Sequence, residues 1–247
     1  MFHGYQANGA TLMYESEMNE AADRAGDAIV YADGTGPFPY WGLTWNAVSC
    51  CGSAAEKKVD DIGFSGAIVH SLVDAGFADA TRVYAAGFSA GGMLALRLAC
   101  TSSRTYAAVA DVAGAMPDTA CVPARPVPVL LIQGEDDSDL RDDQSVDKHR
   151  KVHPWSTALE KALTFWGRVG GCGSSTLRDT TASYIRLRAG SCPEGEEVTL
   201  VTVHDHPHAW PGGRPAWVFG TRPAPAPNAS EMLLDFFARH TSPPAVH

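Results

Sequence analysis

One short stretch limits what this chain can fold into more than any other. Val83-Tyr84-Ala85-Ala86 is a β-branched and apolar run that enters Gly87-Phe88-Ser89-Ala90-Gly91-Gly92. A helix-forming run, Met93 to Cys100, follows immediately. Strand, sharp turn and helix in that order make the local architecture of a nucleophile elbow, in which a serine is presented at the end of a strand. Small residues must flank the serine so that the backbone can pass closely, and Gly87, Ala90, Gly91 and Gly92 supply them. The structural alternative is a glycine-rich turn whose serine only caps the helix.

The rest of the chain fits an α/β arrangement. Apolar strands are expected at Asp27 to Ala32, at Ala107 to Val112, at Val129 to Ile132 and at Val198 to Val203, with a further β-rich run at Ser183 to Leu187. Helices are expected at Thr11 to Ala25, Lys57 to Asp74, Trp155 to Val169 and Ser230 to His240, the last with Ser230 as N-cap. Unbroken apolar strands alternating with helices predict a mostly parallel sheet covered on both faces. In such sheets ligands sit beyond the carboxyl ends of the strands. The 247 residues, 45% of them hydrophobic, fit one domain over 1–247 with a sizeable core. The chain opens Met1-Phe2-His3-Gly4. If His3-Gly4 ends a central strand, the leading strands are cut short and the chain starts inside the domain.

Composition excludes several classes. The net charge is −9 and no lysine or arginine run occurs, so no nucleic-acid partner is expected. No apolar stretch has the length of a membrane-spanning helix, so no membrane partner is expected either. Six cysteines, at 50, 51, 100, 121, 172 and 192, lack the paired spacing of a zinc site. They read as disulfides of an oxidising compartment, with Cys172 and Cys192 placed to close a loop; reduced, buried thiols are the alternative.

The chemistry-bearing residues follow the strand ends. A serine hydroxyl needs a base within hydrogen-bond reach, and the base needs a carboxylate to orient it. After the strand at 129 comes Gln133-Gly134-Glu135-Asp136-Asp137, and after the strand at 198 comes His204-Asp205-His206-Pro207-His208. Serine, acid and histidine thus occur in the chain order of α/β-hydrolases. Asp137 is the first choice of acid, ahead of Asp136 and Asp139, and His208 the first choice of base, ahead of His206 and His204. Backbone N–H groups of Ala90 and Tyr5 are candidates for an oxyanion hole. Phe88, Trp45 and Trp210 are candidate substrate contacts, and the aromatics from Phe38 to Trp45 either line a groove or form a satellite cluster under a loop. Asp60 and Asp61 suit the start of a helix. A competing reading gathers His204, His206 and His208 on one strand face around a metal, but Pro207 interrupts that strand.

Several longer pieces of the chain carry a resemblance. They are His3-Gly4 with Asn8-Gly9, Tyr31-Ala32-Asp33-Gly34, Trp45-Asn46 with Cys50-Cys51-Gly52, Val59-Asp60-Asp61-Ile62-Gly63-Phe64, and Arg82-Val83-Tyr84 leading to Gly87 through Met93. His208-Ala209-Trp210-Pro211-Gly212 and Phe236 through His240 complete the set. Together they resemble the secreted serine esterases that group polyhydroxybutyrate depolymerases with feruloyl esterases, the LpqC-like branch of carbohydrate-esterase family one. The resemblance implies an α/β-hydrolase fold, Ser89 as nucleophile, Asp137 as acid and His208 as base. It also implies export; a polymer-linked ester is the expected substrate, and no cofactor is expected. The family usually has His-Gly-Thr-x-Asp where this chain has Gln133-Gly134-Glu135-Asp136-Asp137. Feruloyl-polysaccharide esters and polyhydroxyalkanoate polyesters are the substrates implied first; acetyl-xylan hydrolysis, peptide hydrolysis and a silent binding role on the same scaffold are the alternatives.

Overall fold

The computed structural model describes residues 1–47, 50, 52–114, 122–138, 157–216 and 221–242. Its strands are β1 (Tyr84–Phe88), β2 (Ala108–Val112), β3 (Val129–Gly134), β4 (Thr176–Thr180), β5 (Tyr184–Ala189) and β6 (Val198–Val203). They form one sheet in the order β1-β2-β3-β6-β5-β4, and β1, β2, β3 and β6 run parallel. The hairpin of β4 and β5 closes the far edge antiparallel. Helices α1 (Gly9–Ser16), α2 (Met18–Ala25), α3 (Gly52–Glu56), α4 (Asp61–Asp74), α5 (Ala90–Thr101), α6 (Thr157–Val169) and α7 (Ala229–Ala238) surround it.

Alternation along the parallel strands sends side chains to two cores, because successive residues of a strand point to opposite faces. Val109, Val129, Leu131, Val198 and Leu200 meet Leu94 and Leu98 of α5 and Leu163 and Trp166 of α6. On the opposite face, Ala110, Val112, Leu130, Ile132 and Val201 meet Leu12 of α1, Met18 of α2 and Leu233 and Phe236 of α7. This is the doubly covered, mostly parallel sheet expected for an α/β-hydrolase fold.

Four local expectations are corrected. The single helix expected over Thr11 to Ala25 is two, because Glu17 turns left-handed at φ 51° and Ser16 Oγ accepts the Met18 N–H there. The stretch Asp27 to Ala32 is not a strand; only Ala32 bridges, to Phe2. Phe2 takes the place beside β1, its N–H donating to Ala86 O at 2.9 Å and its carbonyl accepting from Phe88 N at 3.0 Å. Ser230 does not cap α7. Asn228 does, its side chain accepting the Glu231 N–H at 3.1 Å.

The helix expected from Lys57 begins at Asp61, after the separate short α3. Asp60 is its N-cap, accepting from Gly63 N at 2.9 Å. Asp61 is buried and accepts from Asn46 N at 2.6 Å, while the Asn46 carbonyl accepts from Arg97 of α5. Both carboxylates serve backbone N–H groups, as helix-start acids do.

Candidate active site

Ser89 occupies the turn between β1 and α5 at φ 52° and ψ −120°. An L residue at positive φ is strained, and such strain persists only where surrounding contacts hold it. The Ser89 N–H donates to Val112 O at 2.8 Å, and the Ser89 carbonyl accepts from Met93 N at 3.0 Å. The glycines are demanded by proximity. A Cβ on Gly87 would lie 2.2 Å from the Gly91 carbonyl carbon, and one on Gly91 would lie 2.0 Å from Phe2 O. Ser89 makes no side-chain capping bond to α5, so the simple capping alternative finds no support.

The first residues of the chain come to the same place. A Cβ on Gly4 would lie 3.6 Å from Ser89 Cβ and 3.1 Å from the Phe88 ring, so the Gly4-Tyr5 segment borders the serine. His3 shapes this segment from beneath. Its Nε2 accepts from Gly34 N at 3.1 Å, which leaves Nδ1 to donate to Gly4 O at 2.8 Å. Burial lowers its pKa, so the buried ring stays neutral and keeps both bonds. Trp45 lies behind it, its Nε1–H donating to His3 O at 2.9 Å.

The loops after β3 and β6 are locked together. Asp136 N donates to His206 O at 2.9 Å, and a Cβ on Gly134 would lie 2.2 Å from that same oxygen. This juxtaposition delivers Asp137, fully buried, to His208, whose Nδ1–H donates to Asp137 Oδ2 at 2.8 Å. Gln133, buried in β3, donates to the same oxygen from Nε2 at 2.6 Å. The Phe88 ring, one residue before the serine, packs 5.0 Å from the His208 imidazole. Ser89, Asp137 and His208 thus gather at the carboxyl ends of β1, β3 and β6.

The neighbouring histidines have other tasks. His206 Nδ1 accepts from Ala224 N at 3.0 Å, so its Nε2 donates to Ala209 O at 2.9 Å. Burial lowers its pKa and keeps it a neutral brace under the His208 loop. His204 Nδ1 lies 3.4 Å from Glu135 Oε2. The three imidazoles engage three different partners, which does not suit the shared metal of the competing reading. Asp136, the second choice of acid, is held by the His206 carbonyl through its backbone. Asp139, the third choice, lies outside the described residues, as do Cys51 and Cys121.

Two of the aromatic expectations are corrected. Trp45 and Trp210 have 0% and 1% of their surface exposed, so neither touches a ligand in this conformation. Trp210 pins the His208 loop instead: its Nε1–H donates to Ser230 Oγ at 3.0 Å, and Ser230 donates on to Ser16 O at 2.6 Å. Only Phe88 of the three stands at the site. The stretch from Phe38 to Trp45 divides, with Phe38, Tyr40 and Trp41 more than half exposed and Trp45 in the core.

Two acids near the site escaped sequence reasoning. Glu15, at the end of α1, is pushed up to about 7 by burial, against the opposing influence of His208. Asp111, in β2, is pushed up to about 8, chiefly by burial and further by Asp137. An acidic residue inside the apolar run Ala107 to Val112 was the available signal for Asp111.

Comparison with known proteins agrees with this geometry. Residues 2–143 match the phospholipase/carboxylesterase family, Abhydrolase_2. The protein named "Putative esterase NocK" from Nocardia uniformis subsp. tsuyamanensis is 32% identical over 90% of this chain and 68% of its own length. Feruloyl esterase B of Piromyces equi is 26% identical, and the match spans 88% of this chain but 40% of that protein. The fold of an acetyl xylan esterase from Aspergillus awamori superposes with a TM-score of 0.63 at 14% identity, covering 96% of this chain and 87% of the other. The family match over more than half of the chain, with the mostly parallel sheet already described, shows that the chain belongs to the phospholipase/carboxylesterase family of α/β-hydrolases, a family of ester hydrolases.

Proposed function

We propose that the chain hydrolyses carboxylic esters through Ser89, His208 and Asp137. The observation that carries this reading is the 2.8 Å bond from His208 Nδ1 to buried Asp137, beside a serine held at positive φ. That bond fixes the imidazole tautomer and leaves Nε2 unprotonated, ready to accept the Ser89 hydroxyl proton. As Ser89 Oγ bonds to the ester carbonyl carbon, charge develops on the carbonyl oxygen, facing the N–H groups of Ala90 and Tyr5. The imidazolium, stabilised by Asp137, returns the proton to the departing alcohol as the C–O bond breaks. Water then attacks the acyl-enzyme, giving its proton to His208, and the acid leaves with Ser89 restored.

The substrate class is narrower than the family. A polymer-linked feruloyl ester fits the relative named feruloyl esterase B, and either that or a polyhydroxyalkanoate-type ester suits the exposed aromatics Phe38, Tyr40 and Trp41 on the loop bound to Asn8. The disulfide between Cys172 and Cys192, with Cys50 and Cys100 also disulfide-bonded, favours an extracellular setting.

A fluorophosphonate probe followed by intact-mass and peptide analysis tests the mechanism. One adduct on Ser89, absent from Ser89→Ala, together with loss of p-nitrophenyl ester turnover, is the expected result. Substantial turnover by folded Ser89→Ala would overturn it. Parallel assays on methyl ferulate, an acetylated xylan and a polyhydroxybutyrate film assign the acyl group.

A further inference from the structure

Beneath the Ser89 turn lies a buried acid that the triad does not use. Asp111 belongs to β2, its Cα pairs with Gly87 of β1, and its side chain is buried. Two glycines make room for it: a Cβ on Gly92 would lie 1.9 Å from Asp111 Oδ1, and a Cβ on Gly114 would lie 2.1 Å from the same atom. The same two spaces are bordered by carbonyl oxygens of the elbow. Gly87 O lies 3.2 Å from the Gly92 Cβ position and Ser89 O lies 3.0 Å from the Gly114 position. The second glycine of Gly91-Gly92 is therefore required by Asp111 rather than by the turn alone.

The polar surroundings are lopsided. The Gly114 N–H donates to the Asp111 carboxyl. Oδ1 is buried and has no hydrogen-bond partner among the described residues. A carboxylate there would leave the buried Oδ1 without a donor, whereas a carboxylic acid carries an O–H for which the Gly87 and Ser89 carbonyl oxygens, bordering the same two spaces, are the acceptors at hand. The titratable groups that act on it are Asp137, from the loop after β3, and His208, from the loop after β6. Burial and the Asp137 charge both favour the protonated form, against the Gly114 bond and His208.

We propose that Asp111 is a positioning residue which, as a neutral carboxylic acid, holds the Ser89 elbow in place through the carbonyl oxygens of the turn. The inference rests on Ser89 being the nucleophile. Loss of the Asp111 proton removes the donor and places a second negative charge near the Asp137–His208 pair. Activity should therefore fall as pH rises through about 8, where this group titrates.

The test is a set of pH–rate profiles for p-nitrophenyl acetate with the full chain, background-corrected, from about pH 6 to about 9.5. Wild type should lose kcat above about pH 8, approaching tenfold per pH unit. Asp111→Asn carries an N–H donor and no ionisable proton. It should keep kcat within about threefold of wild type at pH 7 and show no alkaline fall, while Asp111→Ala should lose about 10–100-fold at every pH. An alkaline fall that persists in Asp111→Asn, or full activity in Asp111→Ala, overturns the proposal. Should Asp111→Ala fail to fold by circular dichroism, the Asp111→Asn profile decides alone. Fluorophosphonate labelling of wild type is run alongside: an unlabelled Ser89 refutes the nucleophile assignment itself, and a labelled Ser89 with an unchanged alkaline limb refutes only the role of Asp111.

Discussion

The two sides of the sheet are built for different ends. The strands β1, β2, β3 and β6 are parallel, and β2, β3 and β6 are buried at every residue. Parallel neighbours need crossover connections, which cover the faces with helices and bring all the carboxyl ends to one rim. Ser89, Asp137 and His208 stand on that rim. The β4–β5 hairpin at the other edge is antiparallel; β5 buries Ile185 and Leu187 on one face, and every residue of β4 is exposed. The difference teaches that the proposed triad draws only on the part of the sheet where backbone and polar groups are fixed by burial on both sides. The hairpin closes an edge and carries none of the candidate residues.

On that division, the costliest substitution lies at the rim, at a buried polar residue outside both hydrophobic cores. Asp137→Asn should lower kcat on p-nitrophenyl esters by about 10⁴-fold, because the amide favours the wrong imidazole tautomer. Thermal unfolding should shift far less than activity. A loss below about tenfold would break the comparison by showing that another acid orients His208. Next comes Gly91→Ala, whose Cβ would lie 2.0 Å from Phe2 O and 2.6 Å from His3 O. Both obstacles are backbone, so the Phe2–His3 segment must move. A destabilisation of about 3 kcal/mol or more in urea titration is expected, with loss of turnover in whatever remains folded. A neutral outcome would mean that the first residues are not held against the elbow.

How much of this was legible depends on what each element obeys. The buried parallel strands announce themselves as apolar runs, and the turn chemistry around Ser89 is local, so the sequence alone places both. The Thr176–Thr180 strand does not announce itself: Thr-Leu-Arg-Asp-Thr has no apolar face, and it is a strand because β5 offers it a partner. The break at Glu17 involves neither glycine nor proline, and the ion pair that Glu17 makes there reaches across the chain to Arg214 at 2.5 Å, a tie that no local pattern reveals. Trp45 and Trp210 stand next to motif residues and read as substrate contacts, yet each finds a distant acceptor, His3 O and Ser230 Oγ, that draws it into the core. Gln133 replaces the histidine usual in the resembled family, and only the fold reveals what the replacement does. It shares Asp137 Oδ2 with His208.

A smaller effect separates the two sides by pH rather than by contacts. Glu15 closes α1 under the His208 loop, where its carbonyl accepts from Arg214 N at 2.8 Å. Its carboxyl is raised from 4.5 to about 7, mainly by burial. The native state therefore keeps this proton where the unfolded chain has released it, so the contribution to stability is complete below 4.5 and is lost as pH rises to about 7. Glu15→Gln should match wild type near pH 4 and exceed it by on the order of 2 kcal/mol near pH 8. Equal stabilities at both values would show that burial at the rim exacts no electrostatic cost at this position.

The smallest effect belongs to the hairpin. Leu177 is 54% exposed in a strand with no buried residue, so Leu177→Ser removes little apolar surface from any neighbour. It leaves intact the backbone pairing of Arg178 with Leu187 and of Asp179 with Arg186, which is what holds β4 in place. Surface changes away from caps and cores cost at most about 0.5 kcal/mol. Unfolding midpoint and ester turnover should both match wild type. Leu177 also lines a cavity of about 480 Å³ with Arg186, Arg188 and Arg239, on the side away from the triad loops. A change in turnover without a change in stability would therefore tie this remote cavity to the rim, and the separation between an edge that closes the sheet and a rim that does chemistry would fail at its weakest point.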